Sequence, residues 1–88
     1  MIEHVAQLQD EAKHRFNRRK VLSLQDRGLR IVSVSPSARD MVRVGVQVEL
    51  EEERASRLCI DVVSGVHNIK RALVTSYRIL YRMLLHWG

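Results

Sequence analysis

Apolar residues recur along this chain at two different periods, and the change of period predicts the elements. Val5, Leu8, Ala12 and Phe16 fall three and four residues apart, one stripe of a 3.6-residue repeat. Gln7, Gln9, Asp10, Glu11, Lys13 and Arg15 fill the other positions with good helix formers. This predicts an amphipathic helix over about residues 2–20, fraying between Asn17 and Leu24, with Gly28 closing the connection. Acids come early in it (Glu3, Asp10, Glu11) and cations late (Arg15, Arg18, Arg19, Lys20), as a helix dipole favours.

The period then drops to two. Leu29 to Val34 is rich in β-branched residues, and from Met41 to Leu50 the residues Val42, Val44, Val46, Val48 and Leu50 alternate with mostly polar ones. Two strands are expected, joined by a hairpin loop over Ser35 to Asp40 that holds the only proline. A slip of one residue would expose the whole valine face, so the register should be firmly set.

A second helix is expected from about Glu51 to Ser64. Ala55, Leu58, Cys59, Val62 and Val63 fit a helical stripe, Glu51, Glu52 and Glu53 suit its first turn, and Gly65 suits its end. Val66 to Trp87 reads two ways. As a strand, Ile69, Leu73, Thr75, Tyr77, Ile79, Tyr81 and Met83 share a face. As a helix, Ile69, Leu73, Tyr77, Leu80 and Leu84 oppose Arg71, Arg78 and Arg82. Gly65 and the β-rich run Leu73 to Tyr81 favour a strand through about Ile79, and a bare two-stranded hairpin is marginal. The expected architecture is therefore an α+β, αββαβ two-layer sandwich. It has three mainly antiparallel strands with two helices on one face, in one domain spanning 1–88.

The order helix, strand, strand, helix, strand, together with particular residues, resembles the BON domain over about residues 31–75. The likeness rests on the strand Val42-Arg43-Val44-Gly45-Val46-Gln47-Val48, a helix opening Glu53-Arg54-Ala55, the run Val62-Val63-Ser64-Gly65-Val66, and Ile69, Leu73 and Val74 on a closing strand. The resemblance implies a non-enzymatic binding module from a family associated with phospholipid membranes and with larger envelope or stress proteins.

Charge adds a candidate surface. The chain carries 15 Lys+Arg against 10 Asp+Glu, and five of those cations, Lys13, Arg15, Arg18, Arg19 and Lys20, fall within eight residues. Such a patch suits phosphates, whether of anionic lipid, of nucleic acid or in an acidic protein partner. The plainer alternative is a solvated helix end. Only one Phe, one Trp and two Tyr are present, and Tyr77 and Tyr81 read as partly buried, so base stacking has little to work with and nucleic acid ranks second.

The tail over about 76–88 is apolar enough either to complete the core or to join a second copy, through Tyr77, Tyr81, Met83, Leu84 and Trp87. Catalytic inventories fail. The single cysteine, Cys59, reads as a buried, inert thiol on a helical stripe; four scattered histidines hold no metal spacing; no glycine-rich phosphate loop exists. No enzyme activity, cofactor or metal is expected. No signal peptide is visible and the thiol is free, which points to the cytoplasm.

Overall fold

Valines at every second position of one strand organise the molecule. The computed structural model describes residues 5–51, 54–65 and 68–87. Helices α1 (Val5–Phe16) and α2 (Arg18–Asp26) lead into strands β1 (Leu29–Pro36), β2 (Met41–Glu51) and β3 (Arg54–Val63), and helix α3 (Ile69–Trp87) follows. The strands form one antiparallel sheet in the order β1-β2-β3, with β2 central.

On β2, Val42, Val44 and Val46 are fully buried and Val48 nearly so, the register that the alternation predicts. β1 needs a correction of phase to follow it. Leu29 and Ile31 point inward, then the register shifts between Ile31 and Ser33, and Val34 is the next buried residue. The bulge adds one residue and moves the inward positions from odd to even numbers.

The class is α+β, with a three-stranded antiparallel sheet and helices packed on one face. The order of elements is ααβββα, and three expectations change with it. First, the helix expected over about 2–20 ends at Phe16. Asn17 caps a separate helix that runs on through Asp26 and buries Val21 and Leu24.

Second, Arg54–Val63 is a strand, where a helix was expected from Glu51 to Ser64. Leu58, Ile60 and Val62 turn toward the core while Arg57, Cys59, Asp61 and Val63 are exposed; a helical stripe also keeps Leu58 and Val62 inside but would bury Cys59 and Val63 with them, so the observed period is two. Pairing selects the strand over the expected helix. Val62, Ile60 and Leu58 stand opposite Val42, Val44 and Val46, so each β2 valine gains an apolar cross-strand neighbour. Glu51 belongs to the end of β2, opposite Arg54, and not to a helix turn. Glu52 and Glu53 lie outside the described residues, as do Val66 and His67.

Third, Ile69–Trp87 is one continuous helix, and the expected strand through Ile79 is absent. Ile69, Ala72, Leu73, Ser76, Tyr77 and Leu80 are its buried residues, spaced by three and four. A strand would have placed Ala72, Ser76 and Leu80 away from the core. Two polar side chains start the helix. Asn68 Oδ1 accepts the Arg71 backbone N–H at 3.1 Å, and Ser64 Oγ donates to the Asn68 carbonyl at 2.6 Å. Within the helix, buried Ser76 is satisfied by donating to the Ala72 carbonyl at 2.8 Å. The αββαβ order implied by the BON resemblance is thus not the order of this chain, and Arg54 and Ala55 open a strand.

Candidate anion-binding surface

The two layers differ sharply in charge. The three helices with their caps carry ten of the Lys and Arg residues against only Asp10, Glu11 and Asp26, whereas residues 28–67 carry five against six acids. The positive balance of the whole chain therefore belongs to the helical layer.

The break at Asn17 redistributes the cations from Lys13 to Lys20. Arg18 Nη2 lies 3.2 Å from Asp10 Oδ1 and 3.3 Å from Oδ2, which partly neutralises it. Lys20 Nζ sits 5.0 Å from the Tyr81 ring centroid and 5.7 Å from that of Phe16, a cation–π arrangement. Lys13 is half-buried. Arg15 and Arg19 are exposed, and among the described residues no acid pairs with either. The five candidates are thus not equivalent: two are free, three are engaged or partly covered.

The fold adds partners that the sequence reading did not single out as a site. Arg15 lines an open depression of about 310 Å³ with Asn68, Lys70, Arg71 and Val74. A neighbouring depression of about 500 Å³ is lined by Asp10, Glu11, His14, Arg15, Arg18 and Lys70. Lys70 Nζ lies 3.3 Å from Glu11 Oε2, tying the start of α3 to α1. A cation cluster is thereby assembled from positions 55 or more apart in sequence, Arg15 with Lys70 and Arg71. Linear spacing carries no signal for it, since only the packing of α1 against α3 creates it.

The apolar tail separates in the same way. Tyr77 is 4 % exposed and its ring centroid stands 6.3 Å from that of Phe16, so it belongs to the core and not to a free self-association surface. Tyr81, Met83 and Leu84 are half-buried against that core, with Phe16 edge-on to Tyr81 at 6.2 Å. The Trp87 side chain lies outside the described residues. Among the described residues, Leu85 and, on α2, Leu22 are the large apolar residues that the helical layer exposes, at 64 % and 57 %.

The sheet face away from the helices is open and mixed. Arg43 makes a two-point contact with Asp61, Nε to Oδ1 at 3.0 Å and Nη2 to Oδ2 at 3.2 Å. Through this contact Arg43 is held above its ordinary value and Asp61 below its own. Cys59 lies on the same face, exposed, which overturns the reading of a buried thiol. Its neighbour across the pair is Gly45, with no side chain to cover it.

Among the described residues, no group of three His, Cys, Asp or Glu side chains is placed to hold a metal ion. No helix among them is long and apolar enough to cross a membrane. No protein-family model, no curated protein and no solved structure matches the chain.

Proposed function

We propose that this chain is a small non-enzymatic interaction module whose helical layer docks on an anionic phospholipid surface. The segregation of charge carries the reading: ten cations against three acids on the helices, five against seven elsewhere. A basic face is attracted to anionic headgroups with about 1 kcal/mol per Lys or Arg near the surface. Exposed Leu22 and Leu85 stand on the same layer, each within four residues of arginines (Arg18 and Arg19; Arg82), which suits shallow apolar insertion beside headgroup contacts. Base stacking finds no such support, because Phe16, Tyr77 and Tyr81 are engaged with one another and with Lys20.

Co-sedimentation with vesicles tests the reading. Binding is expected to vesicles containing phosphatidylserine, to fall as salt rises, and to be negligible on pure phosphatidylcholine. Reversing both Arg15 and Arg71 to Glu should weaken it by at least about tenfold. Equal binding to neutral vesicles, or none at low salt, overturns the proposal. Tighter binding to random-sequence nucleic acid at matched salt would replace it with the nucleic-acid reading.

A further inference from the structure

The two edges of the sheet are finished differently. The β1 edge is blunted: it carries a bulge after Ile31, ends in Pro36, and its Ile31 carbonyl already accepts from Gln9 Nε2 at 3.1 Å. β3, ten residues long, has neither proline nor lysine, and among the described residues no strand lies outside it.

The direction of its backbone groups follows from the ladder. Glu49 N–H donates to Gly28, and Met41 accepts from Ser37, so odd-numbered residues of β2 turn their backbone toward β1. Even-numbered residues turn toward β3, as Asp40 does in accepting from Ser64. The pairs Val46–Leu58 and Val44–Ile60 are therefore the hydrogen-bonded ones, and Gly45–Cys59 is not. Arg57, Cys59 and Asp61 consequently direct their N–H and C=O groups out of the sheet edge.

We propose that this edge pairs with the β3 edge of a second copy of the chain, with Cys59 on the two-fold axis. The sequence Arg57-Leu58-Cys59-Ile60-Asp61 is complementary to itself when run antiparallel. Arg57 meets Asp61 of the second copy, half-buried Leu58 meets its Ile60, and both contacts occur twice by symmetry. Asp61, held on one side by Arg43 of its own chain, receives a second guanidinium on the other. The result is a continuous six-stranded sheet. Opposed residues of an antiparallel pair share a face, so both helical layers lie on the same side of it, which places two basic surfaces toward one target. The pairing itself does not depend on what that target is.

Sedimentation velocity on the full chain should show a monomer–dimer equilibrium. Arg57→Asp sets Asp against Asp across the axis, and Asp61→Arg sets Arg against Arg. Each variant alone should dimerise more weakly by on the order of tenfold or more. An equimolar mixture of the two restores both opposite-charge contacts and should recover the dimer. A short bismaleimide should link Cys59 to Cys59, whose Cα atoms stand about 5.5 Å apart in such a pair. Circular dichroism establishes that each variant is folded. A wild-type chain that stays monomeric to millimolar concentration, a mixture that fails to recover, or a dimer that does not cross-link overturns the proposal.

Discussion

Asn17 Oδ1 accepts the backbone N–H of Lys20 at 3.1 Å, and that bond sets three cations at the wrong end of a helix. Arg18, Arg19 and Lys20 form the first turn of α2, where unpaired N–H groups already make the helix end positive. Asp10 offsets Arg18, and the rings of Phe16 and Tyr81 hold Lys20, but among the described residues nothing offsets Arg19. Retaining a cation there costs stability, which is what a binding face under electrostatic demand would show.

Arg19→Glu should therefore stabilise the fold, by about 0.3–1 kcal/mol, while weakening attachment to anionic vesicles. Asn17→Ala should do the reverse to stability, costing about 1 kcal/mol through loss of the cap. Urea unfolding of the two variants measures both signs. A destabilised Arg19→Glu would mean that its side chain has a structural partner.

Gly28 has φ +83°, and a Cβ placed on it would overlap the Glu49 carbonyl oxygen. Both the left-handed conformation and the close backbone approach demand glycine, and the clash is with a main-chain atom that cannot rotate away. Gly28→Ala should lower stability by about 1–3 kcal/mol. Gly45→Ala makes a useful contrast, since the atom it would meet is the Ser33 hydroxyl at the end of a side chain. A second change, Ser33→Ala, should rescue Gly45→Ala and leave Gly28→Ala unaffected.

How far the sequence showed these features depended on whether a local pattern had one solution. Val42 to Val48 admits only a strand, and its register is the observed one. Residues 54–63 read as a helix, and residues 69–87 read two ways. In the first, Leu58 and Val62 are inward in a helix or a strand alike, and the choice rests on the β2 valines opposite them, a contact between distant positions. In the second, the β-branched run Val74-Thr75 favours a strand, but Ala72 and Ser76 are both fully buried together with Leu73 and Leu80, which helical spacing achieves and alternation does not. The basic face was half legible: Lys13 to Lys20 stands out in the sequence, whereas Lys70 and Arg71 join it only through packing.

The strand at β3 predicts a mutational pattern that a helix would not. Ile60 packs against the core and Cys59 faces solvent. Ile60→Ala should cost about 2 kcal/mol, toward the low end for a half-covered site, and Cys59→Ser should stay within about 0.5 kcal/mol. The helical stripe would have ranked them the other way, with Cys59 inside. Leu73→Ala, at a position with no exposure at all, should exceed both at about 2–5 kcal/mol. Urea unfolding midpoints at neutral pH give the ranking, and Cys59→Ser costing more than Ile60→Ala would overturn the assignment.

Two side chains should limit stability at opposite extremes of pH. The Arg43 guanidinium, hydrogen-bonded to Asp61, holds its carboxyl below the ordinary value of 3.8. A depressed folded value means the ion pair contributes above that ordinary value and is lost as pH falls through the lowered one. Both groups are exposed, so the effect is small and should shrink in salt. Burial, partly opposed by a hydrogen bond with Gln9, pushes the Tyr77 hydroxyl above its ordinary 10.0. Here the folded value is raised, so the contribution is intact below about 10 and is lost as pH rises through the raised value. Unfolding midpoints across pH should therefore decline at both ends. Arg43→Gln should remove the part of the acid decline due to Asp61 and return its carboxyl titration, followed by NMR, toward 3.8. Tyr77→Phe should flatten only the alkaline limb. An alkaline decline unchanged in Tyr77→Phe would place the responsible group elsewhere.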